Sequence, residues 1–211
     1  MRNLIDHTRN ARLKTSLAVM RVLSPHVYKW VNDAVSNVHG VPRPFTQIVK
    51  QQSNSKSLVG CEIGFGFGVN AENLLSELPI SKLFCVDPYI GKGYQQSNRI
   101  IDIYAEQGKS RFNQLQKDSR MSFIELPSKT AAQTVLKDNL FDFVYIDGNH
   151  SRQFVSEDLG LYYGLVKPGG FIGGHDYIYG QEGVVDAVQE FALNNHVCPQ
   201  IRFPDFCFKV N

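Results

Sequence analysis

The chain has 211 residues, 43% of them hydrophobic and 20% charged, with 22 basic against 20 acidic side chains and a formal charge of +2. That length supports one core domain with a modest extension, and it needs no disulfide or metal staple to fold. The even charge balance gives no support to a nucleic-acid polyanion as the main partner and rules out a highly charged disordered chain. The four cysteines, Cys61, Cys85, Cys198 and Cys207, form no CxxC pair and no zinc spacing, so a reducing compartment is expected. No apolar run approaches the ~18 residues of a membrane span, and the N-terminus has no signal-peptide pattern. The expectation is a cytoplasmic protein with neither nucleic acid nor membrane as partner.

In chain order, residues 1–40 come first and carry six basic side chains against two acids. Leu13, Leu17, Met20, Val27, Trp30, Val31 and Val35 recur at mainly helical spacing, which predicts two short amphipathic helices broken at Ser24-Pro25. This gives a helical extension over 1–43 and a core domain over 44–211. The plain reading of the extension is a docked pair of helices with a solvated basic face; the sharper one is a lid or a homodimer arm. Beyond Pro44, strand and helix signals alternate. Strands are predicted at 58–63, 82–86, 122–126, 141–146, 170–173, 200–203 and 205–210. Helices are predicted at 71–78, across 100–115 with a break at Gly108, and at 130–137, 151–166 and 184–193. Alternation of this kind implies a parallel sheet covered on both faces. The last two strands have only a Pro204-Asp205 corner between them and must be antiparallel, since a parallel return needs a long crossover. The predicted fold class is α/β: a doubly wound, Rossmann-like, mostly parallel seven-stranded sheet with one antiparallel strand.

Glu62-Ile-Gly64-Phe-Gly66-Phe-Gly68 follows the first strand and opens a helix. Glycines let the backbone turn tightly and approach a ligand. The dinucleotide pattern GxGxxG wants its third glycine at 69, where this chain has Val69. The second strand ends in Asp87, well placed to accept hydrogen bonds from a ribose diol. Glu62, inside the turn, would repel a pyrophosphate and suits an amine. A ligand carrying both ribose and amine is S-adenosyl-L-methionine. The alternative is an ordinary strand-to-helix turn with two solvated acids.

These residues resemble motif I of class I S-adenosylmethionine-dependent methyltransferases, and Val86-Asp87-Pro88-Tyr89 resembles their second motif. The run Phe141–Ser151 with Asp147-Gly-Asn-His150, then Asp158-Leu159, Lys167-Pro-Gly-Gly170 and Gly174-His175-Asp176-Tyr177, is similar to methyltransferase domain family 24, which is related to macrocin-type sugar O-methyltransferases. The resemblance covers about residues 45–210. It implies a cofactor site of Glu62, Gly64, Gly66, Gly68, Asp87, Ser128 and Asp147, with Ser128 near the adenine; Ser128 fits equally as a helix cap.

Asp147 ends the fourth strand, and His175 and Asp176 end the fifth. Tips of adjacent parallel strands lie about 4.8 Å apart, so Asp147 and Asp176 could converge on one divalent cation such as Mg²⁺. The resemblance implies an Asp ligand at 147, a histidine base at 150 and an acidic pair at the fifth tip. Here that pair reads His175-Asp176, and an imidazole serves Mn²⁺, Fe²⁺ or Zn²⁺ better than Mg²⁺. The expected site is His150 and Asp147 as catalytic residues, with Asp147, His175 and Asp176 as metal ligands. Plainer readings stand beside it: Asp147 as a helix cap, His150 bonded to a carbonyl, His175 and Asp176 stabilising a loop. The expected function is O-methylation of a small hydroxylated substrate, a sugar or glycoside, with divalent-metal assistance. The alternatives are an NAD-dependent oxidoreductase, disfavoured by Glu62 and the glycine offset, and a cofactor-binding module without chemistry. Asp-Gly-Asn-His stands where an amino-methylating nucleic-acid enzyme would carry Asn-Pro-Pro-Tyr.

Overall fold

A computed structural model describes residues 42–89 and 108–211. The predicted helices within 1–41 and the first half of the helical pattern predicted over 100–115 lie outside the described residues. Helix α1 spans Pro44–Gln52, strand β1 Leu58–Ile63, helix α2 Val69–Glu77 and strand β2 Ile80–Val86. Residues 108–115 are helical. Strand β3 (Met121–Ile124), helix α3 (Ser128–Gln133), strand β4 (Phe141–Ile146), helix α4 (Arg152–Tyr163) and strand β5 (Val166–Gly174) follow. Helix α5 (Glu182–Asn195) and strands β6 (Gln200–Arg202) and β7 (Asp205–Lys209) close the chain.

The seven strands form one sheet in the order β3-β2-β1-β4-β5-β7-β6. β3, β2, β1, β4 and β5 run parallel, and β7 runs antiparallel to both β5 and β6. The predicted fold class therefore holds, including the single reversed strand. Order reverses between β1 and β4, which opens a crevice above their C-terminal ends, the usual ligand position in such sheets.

Side chains of a strand alternate between the two faces of the sheet. In β4, Val144 and Ile146 join Ile63, Leu159, Tyr162, Val184 and Val188 on one face, under α3, α4 and α5. Phe143 and Tyr145 join Phe45, Ile48, Leu74 and Leu83 on the other, under α1 and α2. Sequence patterning assigns no element between Pro44 and Ser57, yet α1 lies there with Pro44 in its first turn and Phe45, Ile48 and Val49 fully buried. A helix this short owes its stability to the sheet it covers. Strand β5 begins four residues before its predicted start. The register jumps from Phe141↔Val166 to Phe143↔Phe171, so Lys167-Pro-Gly-Gly170 forms an irregular entry, with Gly169 at φ +81°.

Candidate active site

The turn after β1 is held by close packing. A β-carbon on Gly64 (φ +88°) would sit 2.1 Å from the carbonyl oxygen of Asp147, so only glycine lets β1 pass the end of β4. One on Gly68 (φ +72°) would strike the Phe65 ring at 2.4 Å. Glu62 points inward and is 1% exposed. Its Oε1 accepts a bond from Asn70 Nδ2 at 2.8 Å. Its Oε2 and the Oδ1 of Asn70 are buried with no partner among the described residues. Burial pushes the Glu62 carboxyl up to about 8, and Asn70 and Arg43 offset it only in part. Two orphaned acceptors side by side lack a donor, and a buried unsatisfied acceptor is costly. An ammonium group meets both, so these residues fit the amine of S-adenosylmethionine.

Asp87 ends β2 and is tied to the same turn. Its Oδ2 accepts from the Gly66 amide and its Oδ1 from the Tyr89 amide, each at 3.0 Å. Tyr89, at φ +42°, donates its hydroxyl to the Gly66 carbonyl and so covers the loop. Beside the Gly66, Tyr89 and Phe65 amides the carboxylate keeps acceptor capacity for a ribose hydroxyl. Burial raises the Asp87 carboxyl, against the pull of the backbone amides. Ser128 is placed differently. It is the first residue of α3, its side chain helps lower Asp158 of α4 against burial, and its carbonyl accepts from Tyr162. The structure thus joins Glu62, Gly64, Gly66, Gly68 and Asp87 in one turn and engages Ser128 with α4.

The second group sits at the ends of β4 and β5, where Ile146 pairs with Gly174. His175 Nδ1 lies 3.1 Å from Asp176 Oδ1 and 3.8 Å from Asp147 Oδ1. His150 Nε2 lies 3.1 Å from Asp176 Oδ2 and 3.7 Å from Asp147 Oδ1. Asp176 adopts φ +61°, a left-handed conformation that Asp tolerates at some cost and that aims its carboxylate between the two rings. Asp147, His175 and Asp176 offer ligand atoms that all lie within 4.8 Å of one another. An ion about 2.1 Å from each donor spans pairs up to about 4.2 Å apart, so small rotations close the set around a cation. One imidazole beside two carboxylates fits a divalent transition ion better than Mg²⁺.

Charges within this group reinforce one another. Burial would raise the Asp147 carboxyl, but the Arg43 guanidinium, with His150 and His175, holds it well below the usual carboxylate range. Asp176 is likewise lowered, burial being outweighed by His175 and then His150. Burial and Arg43 lower His175, yet Asp147 and Asp176 outweigh them and raise it. Behind the group, Ile146, Val155, Val184 and Phe206 wall a small apolar cleft beside Asp147, His150 and His175.

Arg43 is the residue that sequence reasoning misses. Its Nη1 donates to Asp147 Oδ2 at 2.6 Å and to Tyr145 Oη at 2.8 Å. Tyr145 passes its own proton to Asp205 Oδ1 at 3.1 Å. The one signal in the sequence is an arginine set between two prolines, Pro42 and Pro44.

A family described as a methyltransferase domain matches residues 59–177. No curated protein sequence matches the chain. Among solved structures, one from Staphylococcus aureus assigned to the caffeoyl-CoA O-methyltransferases superposes with TM-score 0.59 at 16% identity, covering 94% of this chain and 99% of that one. CalS11, a TDP-rhamnose 3'-O-methyltransferase of calicheamicin biosynthesis, gives 0.55 at 12% identity, over 95% of this chain and 92% of its own. MycE, a methyltransferase of the mycinamycin pathway in complex with Mg and S-adenosylhomocysteine (SAH), gives 0.54 at 12%, over 79% of this chain and 48% of its own. At such identities these likenesses speak for the fold alone.

Proposed function

The chain belongs to the methyltransferase domain family, and from that premise we propose that it is an S-adenosylmethionine-dependent O-methyltransferase acting on a small hydroxylated molecule. The observation that carries this reading is the juxtaposition across the β1–β4 crevice. The orphaned Glu62 carboxylate and the glycine turn lie on one side, and His150 hydrogen-bonded to Asp176 lies on the other.

In this reading Glu62 binds the cofactor amine, Asp87 the ribose diol, and the backbone of Gly64–Gly68 the rest of that edge. The cofactor, when bound, supplies an electrophilic methyl group. His150, its Nε2 held 3.1 Å from Asp176 Oδ2, is the base that takes the proton of the acceptor hydroxyl. The deprotonated hydroxyl oxygen would then be the acceptor of the methyl group that the bound cofactor supplies. Such a base contributes about 10²–10⁴-fold, and alignment of oxygen, carbon and sulfur the rest. Asp147, His175 and Asp176 would hold a divalent ion, which lowers a bound hydroxyl's pKa when present. The acceptor class is a sugar or glycoside, in keeping with the name of CalS11. No nucleic acid or membrane enters this reading, and no helix among the described residues is long and apolar enough to cross a membrane.

Calorimetric titration with SAH tests the cofactor half. Glu62 is mostly protonated at pH 7, because burial puts it near 8. An ammonium beside it favours the carboxylate and expels the proton. Binding is therefore expected to release part of one proton, read as a binding enthalpy that varies with the buffer's ionisation enthalpy. Glu62→Gln should abolish that variation. Absence of SAH binding, or an equal proton release from Glu62→Gln, would overturn the assignment.

A further inference from the structure

We propose that Arg43 is the site's own cation: a positioning residue that holds Asp147 in place with no metal bound and biases the donor set against Mg²⁺ and toward divalent transition ions. The proposal rests on the reading of Asp147, His175 and Asp176 as cation ligands, and it concerns a residue to which that reading gives no role.

Arg43 is fixed from both directions. The following Pro44 disfavours helical backbone at Arg43, which is extended at φ −65°, ψ 157° and immediately precedes α1. Phe45, two residues on, is fully buried with its ring 5.0 Å from that of Tyr145, and its amide donates to Asp205 Oδ2 at 2.9 Å. The guanidinium therefore enters the core beside Tyr145, 5.4 Å from the ring centroid, with 5% of the residue exposed. Arginine has only donors, so the Tyr145 oxygen accepts from it and spends its own hydrogen on Asp205. The bond chain Arg43→Tyr145→Asp205 has one direction and no slack, and a guanidinium keeps its charge at every ordinary pH.

That placement has two consequences for an incoming ion. First, Asp147 Oδ2 is already engaged by Arg43 at 2.6 Å, which leaves Oδ1, the oxygen facing His150 and His175. Asp147 can serve an ion through one oxygen only. Second, the charge of Arg43 cancels one of the two carboxylates, so Asp147, Asp176 and a neutral His175 present about one net negative charge to an ion. Mg²⁺ depends on anionic and carbonyl oxygens in near-octahedral array, whereas imidazole nitrogens favour transition ions. Arg43 also removes the need for any ion to hold the buried Asp147 carboxylate, because a paired charge already faces it.

The test compares the full chain with Arg43→Gln and Arg43→Lys, using calorimetric titration with MnCl₂ and MgCl₂ and melting temperatures in EDTA and in each ion. The wild-type chain is expected to melt at the same temperature with EDTA as with Mg²⁺, and to bind Mn²⁺ more tightly than Mg²⁺. Arg43→Gln is expected to melt lower in EDTA, to recover on adding either ion, and to bind both more tightly than wild type, Mn²⁺ by at least about tenfold and Mg²⁺ by a larger factor, since a repelling charge is gone. Arg43→Lys, which keeps the charge, should stay within about threefold of wild type. Equal affinity in wild type and Arg43→Gln, or Arg43→Lys behaving like Arg43→Gln, overturns the proposal. If Arg43→Gln does not fold, wild-type selectivity decides: Mg²⁺ bound as tightly as Mn²⁺ overturns it. Binding of neither ion by any variant, with SAH binding retained, overturns the cation site and this inference while sparing the cofactor reading.

Discussion

Replacing His150 with alanine is expected to slow methyl transfer by about 10²–10⁴-fold while SAH binds as before. The ring is 38% exposed, enough for a substrate to reach it, yet its Nε2 is held 3.1 Å from Asp176. Asp176 is itself 5% exposed and faces His175 at 3.1 Å through its other oxygen. The carboxylate thus orients both rings at once, and His150 is the one open to solvent. Removing it takes away proton acceptance and leaves Glu62 and Asp87, on β1 and β2, untouched. Transfer of a labelled methyl group to a panel of sugars, glycosides and catechols, followed in single turnover, measures the loss. A decrease of less than about tenfold, or a parallel fall in SAH affinity, would remove His150 from the chemistry. Asp176→Asn should give a smaller loss of the same kind, because the base survives but its orientation weakens.

How far the sequence discloses this arrangement depends on the range of each contact. Phe141–Ile146 reads as a strand because a parallel strand buried on both faces is nearly continuous in apolar residues. Once the strands and their alternation with helices are known, topology alone gathers the residues at their C-terminal ends. Glu62, Asp87, Asp147 and His175 each follow or close a strand, so their convergence could be anticipated without side chains. Helix α1 could not, because its burial pattern of Phe45, Ile48 and Val49 spans barely one turn and is stable only against the sheet. Nor could Arg43, which meets Asp147 across 104 residues of sequence through a contact that no local pattern encodes. Ser128 shows the converse. Its place after β3 matches a cofactor position, and its carbonyl also accepts from Tyr162 of α4, a partner 34 residues away that periodicity marks only as part of a helix.

Asp147→Asn is expected to destabilise the ligand-free chain by about 3–5 kcal/mol, the range for breaking a buried ion pair from one side. Asparagine keeps the shape of the side chain but leaves the Arg43 guanidinium facing a neutral amide, with Asp205 reachable only through Tyr145. The sign of the accompanying pH effect follows from the lowered Asp147 carboxyl. Burial alone would raise it, and Arg43 and the two histidines more than reverse that. A group whose folded pKa lies below its unfolded value of about 3.9 contributes fully above that value and loses its contribution as the pH falls toward the folded one. The wild-type advantage over Asp147→Asn should therefore be greatest at about pH 5, shrink progressively below about pH 4, and lose the part that comes from raising His175 as the pH climbs through that imidazole's titration. Urea denaturation of both proteins at pH 3, 5 and 7 measures it. A gap that persists undiminished at pH 3, or one below about 1 kcal/mol at pH 7, would mean that the Arg43–Asp147 pair does not carry the charge balance on which the β4–β5 site is built.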